Sequence, residues 1–252
     1  LKGNVNPGRK TESDSNRGAP EPAIPWRLFQ GQEVAKRVME VAAAGAHHIL
    51  LFGPNSHRPE LFASVLSSML PSLSGEEEEE VRSIYSLAGL DQSRPARPFC
   101  HFGNSPGLPP LLFDRKLGKI EEILLAHRGV LFLDRVTERS TDFMRLLHDP
   151  MQRGSLLARF GARRGEVPLE MLVVAHGTHC GCGARGDRQL PCTCRPTEVR
   201  RYQQRQKRLI NYPFDLGLSL EAPPASADPG RSWEQCRQSV AQARERMRAR
   251  QG

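Results

Sequence analysis

No stretch of this 252-residue chain comes near the roughly 20 consecutive apolar residues that a bilayer-spanning helix needs, and no apolar leader opens it. The expectation is a soluble, cytoplasmic protein with no membrane partner. Basic residues are in excess, with a net charge of +8 and a pI near 9.5, yet the arginines are scattered and form no single block. Such a charge suits acidic partners such as nucleic acid, or does no more than aid solubility. Cysteine is also scarce: of the six present, four lie in two C-x-C pairs, a pattern closer to a metal cluster or reduced thiols than to a secreted disulfide framework. The length supports one good core with a small appendage and excludes two large domains.

The organising stretch runs from His47 to Met69. Ile49, Leu50, Leu51 and Phe52 form a short unbroken apolar run, as expected of a parallel strand covered on both faces, and Gly53-Pro54 stops it. Leu61, Phe62, Val65, Leu66 and Met69 then recur at helical spacing. Residues 1–25, polar and rich in Gly and Pro, have too little to bury and read as a disordered tail. Val34, Val38 and Val41 predict a helix that ends at Gly45, and the run Glu76 to Glu80 predicts a helix start with its acids at the positive end of the dipole. Residues 91–110 read as loop, and the chain recovers over Ile120 to Ala126. Val130 to Asp134 and Leu169 to Ala175 predict two more buried strands, with Phe143, Leu146 and Leu147 on a helix between them. Strands alternating with helices in this way predict a three-layer α/β/α sandwich with a mostly parallel sheet over residues 26–220. A linker, 221–232, and a basic helix, 233–252, follow.

A strand, tight loop and helix in succession is where nucleoside-triphosphate enzymes hold phosphate, provided that the loop is G-x-x-x-x-G-K-[ST]. Here the loop reads GPNSHRPE, and the positions of the second Gly, the Lys and the hydroxyl residue hold Arg58, Pro59 and Glu60. Proline removes an amide donor, and glutamate puts negative charge where polyphosphate and magnesium would sit. Gly53, Pro54 and Asp134, the last at the end of an apolar strand, are the candidate remnants of a nucleotide site. Without its usual neighbours, Asp134 reads as a strand-end residue bonded to a loop amide. His47 and His48, at a strand entry, read as structural.

Cys180, Cys182, Cys192 and Cys194 can close a tetrahedral zinc site with four protein ligands and no open position, which makes its role structural. Free thiols, or two disulfides under oxidation, are the alternatives, and His179 could replace one ligand. Cys100 and Cys236 read as ordinary thiols.

The segments Gly31 to Pro54, Leu70-Pro71, Ser86 to Leu90, Arg97 to Phe99 and Leu125 to Asp134, followed by CGCG, CTC and RRY between residues 180 and 202, together resemble one family. It is the AAA+ module of magnesium-chelatase-like proteins, in particular the competence-associated ComM/YifB group, and the resemblance brings the four cysteines with it. It implies a P-loop NTPase fold that assembles as a hexamer; in ComM-like members it implies a motor that moves along branched DNA. Against that pattern, Pro59 and Glu60 stand for the Lys and Thr, and Arg135 for the glutamate that polarises water. Thr178 stands for the sensor asparagine, Pro213 for the arginine finger, and LLFDRK for a glycine-rich segment. A missing finger alone costs about 10³-fold or more in rate. The resemblance with these departures therefore implies a subunit without catalytic residues, to which ATP and magnesium are not expected to bind. Its partners would be active AAA+ relatives in a hexamer, or DNA. The helix at 233–252 resembles the entry to the family's helical lid. An active ATPase that drives DNA branch migration is the alternative, and a folded remnant without function is a third reading.

Overall fold

The computed structural model describes residues 26–87, 90, 97–102, 122–160, 163–221, 228 and 230–251. The tail expected at 1–25, the LLFDRK segment and most of the linker lie outside them. In chain order the elements are α1 (Glu33–Gly45), β1 (Ile49–Phe52), α2 (Pro59–Met69), α3 (Gly75–Leu87), β2 (Phe99–Phe102), β3 (Val130–Leu133), α4 (Thr141–Arg153), β4 (Ser155–Phe160), β5 (Arg163–Pro168), β6 (Leu172–Gly177), α5 (Pro196–Leu209), β7 (Leu216–Ser219) and α6 (Trp233–Gln251). Five strands form one parallel sheet in the order β2-β3-β6-β1-β7, and β4 and β5 form a separate antiparallel hairpin.

Alternation along the strands sends side chains to two cores. Ile49, Leu51, Val130, Phe132, Leu172 and Val174 join the core under α1, α2 and α6. Leu50, Leu131, Leu133, Val173 and Ala175, one position out of phase, join Phe143, Met144 and Leu147 of α4 on the opposite side. This is the α/β/α sandwich expected from the sequence.

Three local expectations change. A strand, β2, lies within residues 91–110, which read as loop; Phe99-Cys-His-Phe has no apolar run, and its place comes from backbone pairing with β3 along a sheet edge. The approach is close: Val130 N donates to Pro98 O at 2.9 Å, and a Cβ on Gly129 would lie 2.1 Å from that oxygen. The third buried strand begins at Leu172 rather than Leu169 and continues to Gly177, because Leu169 N is bonded to Gly154 O outside the sheet. The recovery at 120–126 takes the form of a short 3₁₀ turn over Glu122–Ala126. By contrast, the acidic helix start is as anticipated: Ser74 Oγ accepts from Glu77 N at 3.3 Å while Glu77 Oε2 accepts from Ser74 N at 2.8 Å, a reciprocal cap.

His48 is structural, as expected. Its Nδ1 accepts from Val173 N at 3.0 Å and its Nε2 donates to Met151 O at 3.1 Å, which fixes the neutral ring in one tautomer and ties β1 to β6 and α4. Burial pushes this imidazole below its ordinary value of 6.5, against weaker upward pulls from the Met151 carbonyl and Asp215. The unfolded chain therefore takes up a proton first as the pH falls through 6.5, so the stability contributed by neutral His48 is full above that value and is lost below it. His127, whose value burial also lowers, acts in the same direction. The urea midpoint is expected to fall between about pH 7.5 and about pH 5.5, and to fall less in His48→Gln. A midpoint that holds or rises on acidification would contradict this.

Candidate nucleotide site and cysteine knuckle

The loop after β1 is closed on itself and on the chain around it. Gly53 N donates to Gly177 O at 3.2 Å, Asn55 N to Gly183 O at 3.2 Å, His57 N to Pro54 O at 3.2 Å and Arg58 N to Asn55 O at 3.1 Å. Pro54 and Pro59 have no amide hydrogen, so at most the amides of Ser56 and Glu60 remain for an anion between positions 53 and 60. Side chains add to the closure. His57 Nδ1 donates to Leu220 O at 2.8 Å, and the Ser56 hydroxyl donates to Asp187, which with the Gln189 and Leu190 amides holds that carboxyl below its ordinary range. Arg58 adopts left-handed backbone, φ 49°, and α2 starts with Pro59 and carries Glu60 in its first turn. That helix terminus, the natural seat for a phosphate, has a carboxylate of its own.

Asp134 is equally engaged. Register places it beside His176: Leu133 pairs with Ala175 across β3 and β6, and on the other side Leu51 pairs with His176 across β1 and β6. The fully buried His176 ring spans the gap, with Nδ1 3.0 Å from Asp134 Oδ1 and Nε2 3.0 Å from Gly53 O. Each ring nitrogen thus faces an acceptor, a carboxylate on one side and a backbone carbonyl on the other. Burial pushes the Asp134 carboxyl up, but the His176 hydrogen bond and charge, with the Arg135 amide at 2.8 Å, bring it below its ordinary value. The two candidate positions, Gly53 and Asp134, are thus joined by a side chain that the sequence did not single out. Its only signal was a polar residue inside the apolar run LVVAHG.

The other expected positions are found in structural roles. Arg135, at φ 52°, pairs with Glu138 at 3.1 Å. Thr178 Oγ1 lies 2.8 Å from Cys180 O and 3.0 Å from the Tyr202 hydroxyl, which donates to Glu138 at 3.0 Å. Pro213 lies between Tyr212 and β7. Cys236 is buried, and burial beside Glu40 pushes its thiol up to about 12.

The four clustered cysteines converge. Their sulfurs all lie within 4.8 Å of one another, with Cys180–Cys182 at 3.3 Å, Cys180–Cys192 at 3.6 Å and Cys182–Cys192 at 3.7 Å. No sulfur of the four is bonded to another in the structure. His179 instead approaches Gln206, with Nδ1 3.3 Å from Nε2. After the knuckle, α5 presents Arg200, Arg201, Arg205, Lys207 and Arg208 to solvent, none of them in an ion pair among the described residues, while Val199, Tyr202 and Leu209 face inward.

The family described as magnesium chelatase, subunit ChlI, matches residues 26–227. An uncharacterized protein of Mycobacterium tuberculosis, Rv2897c, is 36% identical over 250 residues, which cover 94% of this chain and 48% of that protein. YifB of Escherichia coli is 33% identical over 88% of this chain and 45% of its own length, and the competence protein ComM of Haemophilus influenzae is 28% identical over the same shares. The chain therefore spans about half the length of the curated relatives that it matches. Among solved structures, the complex between subunits BchI and BchD of magnesium chelatase contains a chain that superposes with a TM-score of 0.52 at 18% identity, covering 91% of this chain and 76% of that one, a likeness of fold. Among the described residues no helix is long and apolar enough to cross a membrane. With its 5-stranded parallel sheet and the strand, loop and helix of residues 49–69, this chain belongs to the magnesium chelatase ChlI family and is a P-loop NTPase-type AAA+ module related to YifB and ComM.

Proposed function

We propose that this chain is an AAA+ subunit that has given up ATP hydrolysis and serves as a binding or assembly component. One observation carries the reading: the groups that would receive phosphate and magnesium are bonded to the protein itself, the loop amides to Gly177, Gly183, Pro54 and Asn55, and Asp134 to His176. Phosphoryl transfer relies almost wholly on positioned charge, and Pro59, Glu60 and Arg135 stand where a cation, a hydroxyl and a base belong. Active AAA+ relatives, with which it would share a hexamer, are one partner class. DNA is the other, and the unpaired cations along α5 favour it, since a row of arginines binds phosphate backbone with strong salt dependence.

Calorimetric titration with MgATP and with ADP tests the reading. No isotherm is expected into the millimolar range, and duplex DNA added to the same preparation is expected to bind with an affinity that falls steeply as salt rises. Micromolar ATP binding would overturn the proposal in favour of a working ATPase that drives DNA branch migration.

A further inference from the structure

We propose that Cys180, Cys182, Cys192 and Cys194 hold one zinc ion as a closed tetrathiolate site, and that this ion pins the Asn55–His57 turn of the phosphate loop. The first argument is metric. Zinc–sulfur bonds of ~2.3 Å place the corners of a tetrahedron ~3.8 Å apart. The sulfur separations of 3.3, 3.6 and 3.7 Å, with all four within 4.8 Å, describe such a figure and are far too long for a disulfide. Backbone amides also point at the sulfurs, Cys182 N at the Cys194 sulfur at 3.4 Å and those of Ala184 and Thr193 at the Cys182 sulfur, as suits thiolate ligands.

The second argument concerns what else could hold this segment. Between Thr178 and Pro196 the chain forms no helix or strand, and from His179 to Arg195 only Cys180 and Gly183 are buried; Leu190 is 56% exposed. Too little apolar surface is removed from water to order a loop of this length, so a bonded centre is required. A four-sulfur set of this geometry suits zinc, and with no open position the site is structural.

The third argument links the knuckle to the phosphate loop. Gly183, directly after Cys182, has φ +77° and accepts Asn55 N, and a Cβ there would lie 2.4 Å from Asn55 Nδ2. Asp187, between the two cysteine pairs, receives the Ser56 hydroxyl. The loop is therefore held by residues inside the span that the metal would close.

Metal content measured on the protein as purified, by elemental mass spectrometry, is expected to give one zinc per chain, retained in Cys100→Ser and Cys236→Ser and lost in Cys194→Ser. Cobalt exchanged into the site is expected to show the intense visible bands of tetrahedral thiolate coordination. Stripping the zinc with a chelator is expected to cost the Asn55 and His57 amides their protection from hydrogen exchange. Absence of metal, iron in place of zinc, an octahedral cobalt spectrum or two disulfides in the peptide map would each overturn the site; unchanged loop protection after stripping would overturn the pinning. These readouts are independent of the ATP titration, so either proposal can fail alone.

Discussion

Replacing His176 with alanine is expected to lower stability by about 3 kcal/mol, the cost of removing a fully buried ring together with its two hydrogen bonds, with Asp134 left partly solvated because its side chain keeps 23% of its exposure. The ring contributes two bonds, one to Asp134 and one to Gly53 O, and its removal strands a carboxylate and a carbonyl while opening a hole between three strands. For a chain of this size the melting temperature should fall by about 6–12 °C. A double-mutant cycle separates the pair from the hole: Asp134→Asn with His176→Ala is expected to cost clearly less than the sum of the single changes, because the second substitution removes the charge that the first leaves unpaired. Strict additivity would show that the ring fills space and is not coupled to Asp134. If the proposed loss of hydrolysis holds, Asp134→Ala, fatal to hydrolysis in a working ATPase of this fold, should leave phosphate release unchanged.

How much of this was legible in the sequence depends on which strand one asks about. The central strands β1, β3 and β6 are buried on both faces, and their apolar runs showed them directly. The edge strands β2 and β7 carry FCHF and LGLS, too short and mixed to stand out, and are placed by pairing with β3 and β1. Helix α5 reads as a charged segment because only Val199, Tyr202 and Leu209 face the core. The departures in the phosphate loop could be read residue by residue, since each falls at a known spacing. What took their place could not: His176 and Asp134 are 42 residues apart and meet only through register. Likewise C-x-C spacing signalled a cluster, but nothing in it indicated that Gly183 would come to rest against Asn55.

Trp233→Ala is expected to cost about 3–5 kcal/mol, a fall of about 6–20 °C in melting temperature, although it lies in a segment that is mostly polar and rich in arginine. The reason is a narrow stripe. Trp233, Cys236 and Val240 share one side of α6 and are buried with Met39, Ala42 and Ala43 of α1, and the Trp233 ring meets Trp26 edge-on with centroids 5.4 Å apart. Polar contacts hold the register: Arg244 donates through Nε and Nη2 to Ala43 O at 2.9 and 2.7 Å, satisfying a carbonyl at the end of α1, and Trp26 Nε1 donates to Arg231 O at 3.0 Å. The indole nitrogen of Trp233 itself has no partner among the described residues, so Trp233→Phe, which keeps a ring in the site and removes a buried donor, should cost much less than alanine. Arg246→Ala, on the exposed side, should change little. If Trp233→Ala melted with the parent protein, α6 would be a loosely attached appendage. If it falls as expected, α6 completes the first core, and its row of arginines is fixed to the same rigid body as the closed phosphate loop.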